Sequence, residues 1–379
     1  MRIVLTGGGS GGHIYPLLAV LQEIKEQLKP RNITPEFIYM GPADSYSAVL
    51  QSVDVQFRAI AGPKLRRYAS FGNLLDIPKF FVALIEAWWK LFLIMPDVVF
   101  SKGGPGALPV VLLAWFYRIP VVVHESDIAP GLTNLLSRPF ARRVCVTFEE
   151  ALPYFGKKGV LTGNPVRIAL RAPQVAKETG KKELGFSPGE PLVVILGGSQ
   201  GSQRINEFIA LNLKELIGMT QVLHQCGTAN QGYMEKLTKA ALAESSAVTK
   251  ATRYRLAPYL EDREMSVALG AADVIVTRAG SGTIAELALY GKPVILIPLA
   301  SSANDHQRAN AYAFAKQGAA IVIEEPNLQF GIFVGQLKTV LQGGEFADNM
   351  GAAMRRLAKP DAARAVAVEV LSSSPTGTV

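Results

Sequence analysis

The chain has 379 residues, 49% of them apolar and 18% charged, with a formal net charge of +8. That length exceeds what one hydrophobic core ordinarily supports, so two domains are expected, and the apolar content excludes a disordered chain. The positive balance calls for an anionic partner. Nucleic acid is set aside because no recognition motif occurs and the bases are not interleaved with stacking aromatics, which leaves a phosphorylated substrate or a membrane surface.

In chain order the pattern is strand, glycine turn, helix, repeated. Strands are predicted at Arg2–Thr6, Glu36–Met40, Val55–Ile60, Val98–Ser101, Val121–His124 and Val144–Thr147, with helical patterns between most of them, the first over Pro16–Leu28. MRIVLTGGG enters strand and glycine loop directly, with no signal peptide ahead of it, so a cytoplasmic location is expected. Cys145 and Cys226 lie far apart in apolar runs and read as buried free thiols of a reducing compartment. Gly and Pro interrupt the pattern at LTGNPVR (Leu161–Arg167), the expected hinge. It then restarts with a strand at Leu192–Leu196, the turn GGSQGS and a helix over Arg204–Ile217. Further strands are predicted at Gln221–Gln225, Tyr254–Leu256, Val274–Thr277, Val294–Ile297 and Ala320–Ile323. The fold class is α/β, two doubly wound Rossmann-like domains. DVVFSKGGPG (Asp97–Gly106) and DVIVTRAGSG (Asp273–Gly282) match in register, one in each half.

Four glycine turns follow strands, at Gly7–Gly12, Gly103–Gly106, Gly197–Gly201 and Gly280–Gly282. Gly7, Gly9 and Gly12 have dinucleotide-fold spacing, but the second strand ends FIYMG without the acid that would bind an adenosine ribose. No glycine loop continues into Gly-Lys-Ser/Thr, and no H-E-x-x-H, C-x-x-C or D-x-D occurs, so neither a cofactor nor a metal is expected. Glycines at four strand ends, two in each half, suit backbone amides approaching phosphate better than tight turning alone. In TRAGSGTIAE, Thr283 and Glu286 have capping-box spacing; the competing reading puts phosphate on the helix start and a ribose on Glu286.

FFVALIEAWWKLFLIM (Phe80–Met95) is apolar over 16 residues, too short to span a bilayer, with Glu86 and Lys90 at the spacing of an ion pair. Lys64, Arg66, Arg67, Lys79 and Lys90 outnumber Asp76 and Glu86 nearby. A buried core helix is one reading; a surface that docks on anionic lipid through residues 64–95 is the preferred one.

At GGSGGHIYP, HESDIAPGLTN, GNPVR, GGSQGS and TRAGSGTIAELALYGKPVILIPLASSANDHQRANA the chain resembles the MurG family, the N-acetylglucosaminyltransferases of bacterial peptidoglycan synthesis, in order along nearly its whole length. The resemblance implies a GT-B fold, two Rossmann-like domains facing across a cleft: an acceptor domain over 1–163, a UDP-sugar domain over 164–354, and a helix within 355–379 returning to the first. It implies transfer of N-acetylglucosamine from UDP-N-acetylglucosamine to the 4-hydroxyl of the muramyl sugar of lipid I, with inversion, at the cytoplasmic face of the cell membrane. A UDP-N-acetylglucosamine 2-epimerase and a GT-B transferase with another lipid acceptor are the alternatives.

The resemblance also implies substrate contacts at Ser10, Gly11, Gly12 and Asn134, and a diphosphate contact from Arg167 and Ser199. It implies a backbone contact to uracil at Leu260, and donor contacts along Ser281, Gly282, Thr283, Ile284, Ala285 and Glu286, with Glu286 on the ribose hydroxyls. Gln307 would bond the donor sugar. The second glycine loop departs from the family's Gly-Gly-aromatic-Val pattern, reading GGPGALP. Inverting transfer needs a base that titrates usefully near neutrality, which favours histidine. Of His13, His124, His224 and His306, His13 at the end of the first glycine loop is the first choice for base, against a loop-bracing role. Glu125, beside His124, is a second catalytic candidate, and His224 reads as a satisfied core residue.

Overall fold

The structure is a computed structural model that describes residues 1–8, 11–42, 47–62, 71–104, 106–171, 175–198, 200–243 and 253–375, with the backbone alone for 47, 48 and 71–75. Ser10, Ser199, Lys64, Arg66, Arg67 and Pro105 lie outside the described residues. The chain forms two compact units, Met1–Arg167 with Lys359–Val379, and Ile168–Ala358.

The first unit holds a parallel sheet of β1 (Arg2–Thr6), β2 (Glu36–Gly41), β3 (Val55–Ala59), β4 (Val98–Ser101), β5 (Val121–Glu125), β6 (Arg143–Val146) and β7 (Gly159–Leu161), in the order β3-β2-β1-β4-β5-β6-β7. The β-branched runs of β4 and β5 are buried on both faces, as a covered parallel sheet requires. One face packs on Ile14, Leu17, Val20 and Ile24 of the helix Gly11–Leu28 and on Val366, Ala367 and Val370 of the helix Ala362–Ser373. The opposite face takes Ala87, Leu91, Val110 and Val111. β7 was not predicted: three residues after Lys157 and Lys158 are too few for a period to show. The first helix begins at Gly11, not Pro16, so Pro16 lies inside it without an amide hydrogen to bond backwards.

The second unit repeats the plan with β8 (Leu192–Leu196), β9 (Gln221–Gln225), β10 (Tyr254–Ala257), β11 (Val274–Thr277), β12 (Val294–Leu296) and β13 (Ile321–Val322), parallel in the order β10-β9-β8-β11-β12-β13. Its core joins Val193, Ile195, Val276 and Ile295 to Ile205, Ile209, Phe333 and Leu337. His224 is fully buried there, between Asn206 Oδ1 at 3.0 Å and the Tyr254 hydroxyl at 3.2 Å, the core role expected of it.

The apolar segment becomes the helix Phe71–Ile94. Ala83, Ala87 and Leu91, four apart, form its buried stripe, whereas Phe81, Ile85, Trp88, Trp89, Phe92 and Leu93 are exposed. The predicted Glu86–Lys90 pair does not form. Glu86 accepts the Ala61 amide at 2.7 Å and Lys90 donates to the Ala59 carbonyl, so the chain leaving β3 captures both. Among the described residues no helix is long and apolar enough to cross a membrane.

Candidate active site

In the first unit the candidate site gathers at the carboxyl ends of β1, β4 and β5, where open α/β sheets hold ligands. Gly11 and Gly12 open the first helix and His13 sits on its first turn, half-buried. A Cβ on Gly104, which has φ +86°, would stand 3.1 Å from His13 Nε2 and 2.9 Å from Gly8 Cα, so the first two glycine loops touch through bare backbone.

Beneath them lies a buried cation that sequence reasoning had not singled out. Lys102, 2% exposed, donates to His124 Nδ1 at 2.8 Å, to Ser126 Oγ, and to Asn164 Oδ1 at 3.5 Å. His124 Nε2 faces the Gly163 carbonyl at 2.9 Å, and a carbonyl only accepts. Its hydrogen is therefore on Nε2, and Nδ1 offers the lone pair that the ammonium takes. Both nitrogens of His124 are thus used inside the unit.

Glu125 is likewise turned inward. Its Oε1 accepts the Asp127 amide at 3.0 Å, and its Oε2 accepts the Gly131 amide and Asn134 Nδ2, both at 2.9 Å. The carboxylate braces the loop between β5 and the helix Leu132–Ser137, which argues against its being a base. Asn134 also donates to the His124 carbonyl, while its buried Oδ1 has no partner among the described residues. Arg167 lies over the Tyr15 ring at 5.1 Å, two residues beyond His13 on the same helix.

Electrostatics separate these groups. Burial first and the Lys102 charge second bring His13 down to about 4, against an upward pull from Asp127. Burial brings Lys102 to about 8, opposed by Glu125, Asp127 and Cys145. Burial, then Lys102, hold His124 well below the usual histidine range. Burial and the neighbouring Asp127 raise Glu125. At neutral pH both histidines are uncharged, so His13 does not titrate near neutrality as expected of it and is a weaker base for that reason, and Lys102 is the local cation.

In the second unit the glycine turns follow β8 and β11. Gly201, with φ +78°, passes so close to the Cys226 carbonyl that a Cβ would lie 2.1 Å from its oxygen. Ser202 caps the helix Gln203–Leu211 by accepting the Ile205 amide at 3.4 Å. After β11 the helix is Ser281–Tyr290 with Gly280 at its N-cap. Thr283 is therefore the third helical residue, and the capping-box reading of Thr283 and Glu286 falls. Gly282, Thr283, Ala285 and Glu286 share the partly exposed side of this helix. Ser281 is 9% exposed, and Ile284 is fully buried, which limits any ligand contact at Ile284 to backbone. The Leu260 side chain is also buried, consistent with a backbone role. Gln307, half-buried at the start of the helix His306–Lys316, accepts the Leu299 amide on Oε1 at 3.0 Å.

Two Rossmann-like units with glycine turns at the carboxyl ends of their central strands are the elements of the GT-B fold, shared by glycosyltransferases and by some other nucleotide-sugar enzymes. Residues 3–146 match the glycosyltransferase family 28 N-terminal domain and residues 192–366 its C-terminal domain. The chain is 37% identical over 365 residues to the UDP-N-acetylglucosamine--N-acetylmuramyl-(pentapeptide) pyrophosphoryl-undecaprenol N-acetylglucosamine transferase of Desulfitobacterium hafniense (strain Y51), covering 96% of both chains. It is 35% identical over 347 residues to the enzyme of the same name from Clostridium tetani (strain Massachusetts / E88), covering 91% of both. Among solved structures it is similar to Acinetobacter baumannii MurG, with a TM-score of 0.72 and 25% identity, covering 98% of this chain and 99% of that one. A UDP-GlcNAc 2-epimerase from Neisseria meningitidis bound to UDP-GlcNAc shares the fold alone, with a TM-score of 0.67 and 14% identity over 98% of this chain and all of that one. The chain belongs to the MurG family of glycosyltransferase family 28.

Proposed function

We propose that the protein is an inverting hexosyltransferase that moves N-acetylglucosamine from UDP-N-acetylglucosamine to the muramyl 4-hydroxyl of lipid I, forming lipid II. The observation that carries this reading is the 37% identity, over 96% of both chains, to a relative whose name states the transfer. The 2-epimerase alternative has the fold in its favour and nothing more.

The second unit takes the donor. Glu286 suits a ribose because its two oxygens can accept from a cis-diol. The amides at the start of the helix Ser281–Tyr290 suit the diphosphate, and Gln307 suits the hexose. The Leu260 backbone would meet uracil, with Arg167 and Ser199 adding to the diphosphate contacts. The first unit takes the acceptor. Neutral His13 removes the proton of the 4-hydroxyl as its oxygen attacks C1. The bond from C1 to the diphosphate breaks, the anomeric centre inverts, and UDP leaves with the bonding pair, stabilised by helix-end amides. Gly11, Gly12 and Asn134 line the acceptor side; Glu125 and His124 brace it.

The exposed face of the helix Phe71–Ile94, with Trp115 and Phe116 nearby, supports peripheral attachment to anionic lipid at the cytoplasmic face, where a lipid-linked acceptor would be met. The test is transfer from radiolabelled UDP-N-acetylglucosamine to a lipid I analogue, for wild type and Glu286→Ala. Label should appear in the disaccharide lipid, and the donor KM should rise about tenfold or more in the variant. Turnover of the nucleotide sugar without acceptor would refute the transferase and favour the epimerase. Transfer with an unchanged donor KM would remove Glu286 from the site.

A further inference from the structure

A run of hydrogen bonds in the second unit leads from the glycine turn to Gln307, through residues given no role in the transfer. Arg278, just past β11, donates from Nη1 to the Ile297 carbonyl at 3.1 Å and from Nη2 to Glu325 Oε1 at 2.5 Å. Glu325 Oε2 accepts the Ala300 amide at 3.0 Å. Between those two anchored residues, the Leu299 amide donates to Gln307 Oε1 at 3.0 Å, and the Gln307 amide returns to Ser302 Oγ at 3.4 Å. The Arg278 and Glu325 side chains are 12% and 16% exposed, so solvent screens the pair little. Asn304 and Asp305, both at φ 54°, close the loop in a left-handed conformation that Asn and Asp tolerate best.

This circuit has a chemical consequence. A backbone amide only donates, so the Gln307 atom facing Leu299 is the carbonyl oxygen, and Nε2 is the group left for a ligand. Gln307 therefore offers a hydrogen-bond donor, and the loop that fixes this orientation is held at Ile297 and Ala300 by one arginine–glutamate pair. We propose that Arg278 and Glu325 are positioning residues that hold Gln307 as a hydrogen-bond donor to the hexose of the nucleotide sugar, so that the pair governs the sugar's share of donor affinity and not that of the uridine diphosphate. The inference rests on the donor-site reading given above.

The experiment is calorimetric titration of UDP and of UDP-N-acetylglucosamine into wild type, Glu325→Ala, Glu325→Gln, Gln307→Ala and the double variant Glu325→Ala/Gln307→Ala, with a thermal melt of each. UDP should bind every variant within about twofold of wild type. UDP-N-acetylglucosamine should bind about tenfold more weakly to Glu325→Ala and to Gln307→Ala, and no more weakly still to the double variant, because both changes remove one hydrogen bond. Glu325→Gln keeps an acceptor for Ala300 while losing the charge opposite Arg278, and should lose less. Equal weakening of UDP, or losses that multiply in the double variant, would overturn the proposal. If Glu325→Ala does not fold, the cycle of Glu325→Gln with Gln307→Ala makes the same comparison. Wild-type protein that binds neither nucleotide would instead sink the donor-site reading beneath it.

Discussion

Replacing Lys102 with methionine preserves the length of the side chain and removes the buried charge at the first unit's candidate site. Two stability terms of opposite sign result. The lysine is 2% exposed and titrates at about 8 rather than 10.5, so holding its charge there costs roughly 3 kcal/mol at neutral pH, which methionine relieves. Against that, His124 Nδ1 and Asn164 Oδ1 lose their donor, at ~1–3 kcal/mol for each buried acceptor. The two terms offset each other to within ~3 kcal/mol, so the variant should stay folded, though less stable, while its electrostatics change. His13 is held at about 4 by burial first and by Lys102 second. Without the cation its pKa rises toward 6.5, and a base accepts a proton only while it is neutral. As pH falls, wild type keeps neutral His13 until near 4, whereas the variant begins to lose it sooner. The assay is kcat/KM for transfer to a lipid I analogue between about pH 5 and pH 8, with melting measured at each pH. The variant-to-wild-type ratio should fall toward the acid end. A ratio independent of pH would refute the electrostatic role and leave Lys102 as scaffold.

Gly201→Ala should destabilise the protein by ~3 kcal/mol or more in urea unfolding, since its Cβ would meet the Cys226 carbonyl at 2.1 Å and φ is +78°. Gly232→Ala, in a helix with nothing within 4 Å, should instead be neutral or stabilising by up to ~1 kcal/mol; equal effects would discredit the clash. His224 is brought to about 3 by burial, so the folded state binds its proton later than the unfolded chain does. Its contribution is complete above 6.5 and declines as pH falls toward 3, by roughly 2 kcal/mol at about pH 5. His224→Asn should make urea stability fall less between about pH 7 and pH 5, and an unchanged slope would count against this account. Phe81→Ser with Trp89→Ser and Leu93→Ser removes three exposed apolar groups and should reduce co-sedimentation with anionic vesicles about tenfold or more, with UDP affinity unaltered; undiminished sedimentation would move the membrane contact elsewhere.

Most of the fold was legible because parallel strands buried on both faces read as continuous apolar runs ended by glycine. β7 was hidden by its three-residue length, and the true start of the first helix by the proline within it. The candidate site was legible as a motif where its residues are contiguous, as from Thr277 to Glu286, but not where partners meet only in the folded chain. The sequence spacing of Glu86 and Lys90 suggests a pair, yet the nearby backbone at Ala59 and Ala61 holds each of them. His124 and Glu125 end a strand, where site residues are expected, yet the groups around them consume their polar atoms. Lys102 gives no local sign of burial; its partners come from positions 22, 24 and 62 residues further along the chain.

The internal repeat explains why that lysine could be buried at all. Asp97 accepts the Arg2 amide at 2.7 Å and donates its own amide to the Arg2 carbonyl, and Asp273 does the same to Leu192 at 2.8 Å, so each acid registers the central strand pair of its unit. Five residues later stands a base, Lys102 or Arg278, which clamps the loop at the end of the next strand in the sheet. The clamps differ in charge balance. Arg278 meets Glu325 directly, and a planar guanidinium against a carboxylate leaves little net field, so its effect is on shape. Lys102 is a point charge whose three hydrogen-bond partners are all neutral, so its field, though opposed by Glu125 and Asp127, still acts on His13. The same mechanical device thus serves geometry in the second unit and proton affinity in the first, a division that the proposed transfer would use.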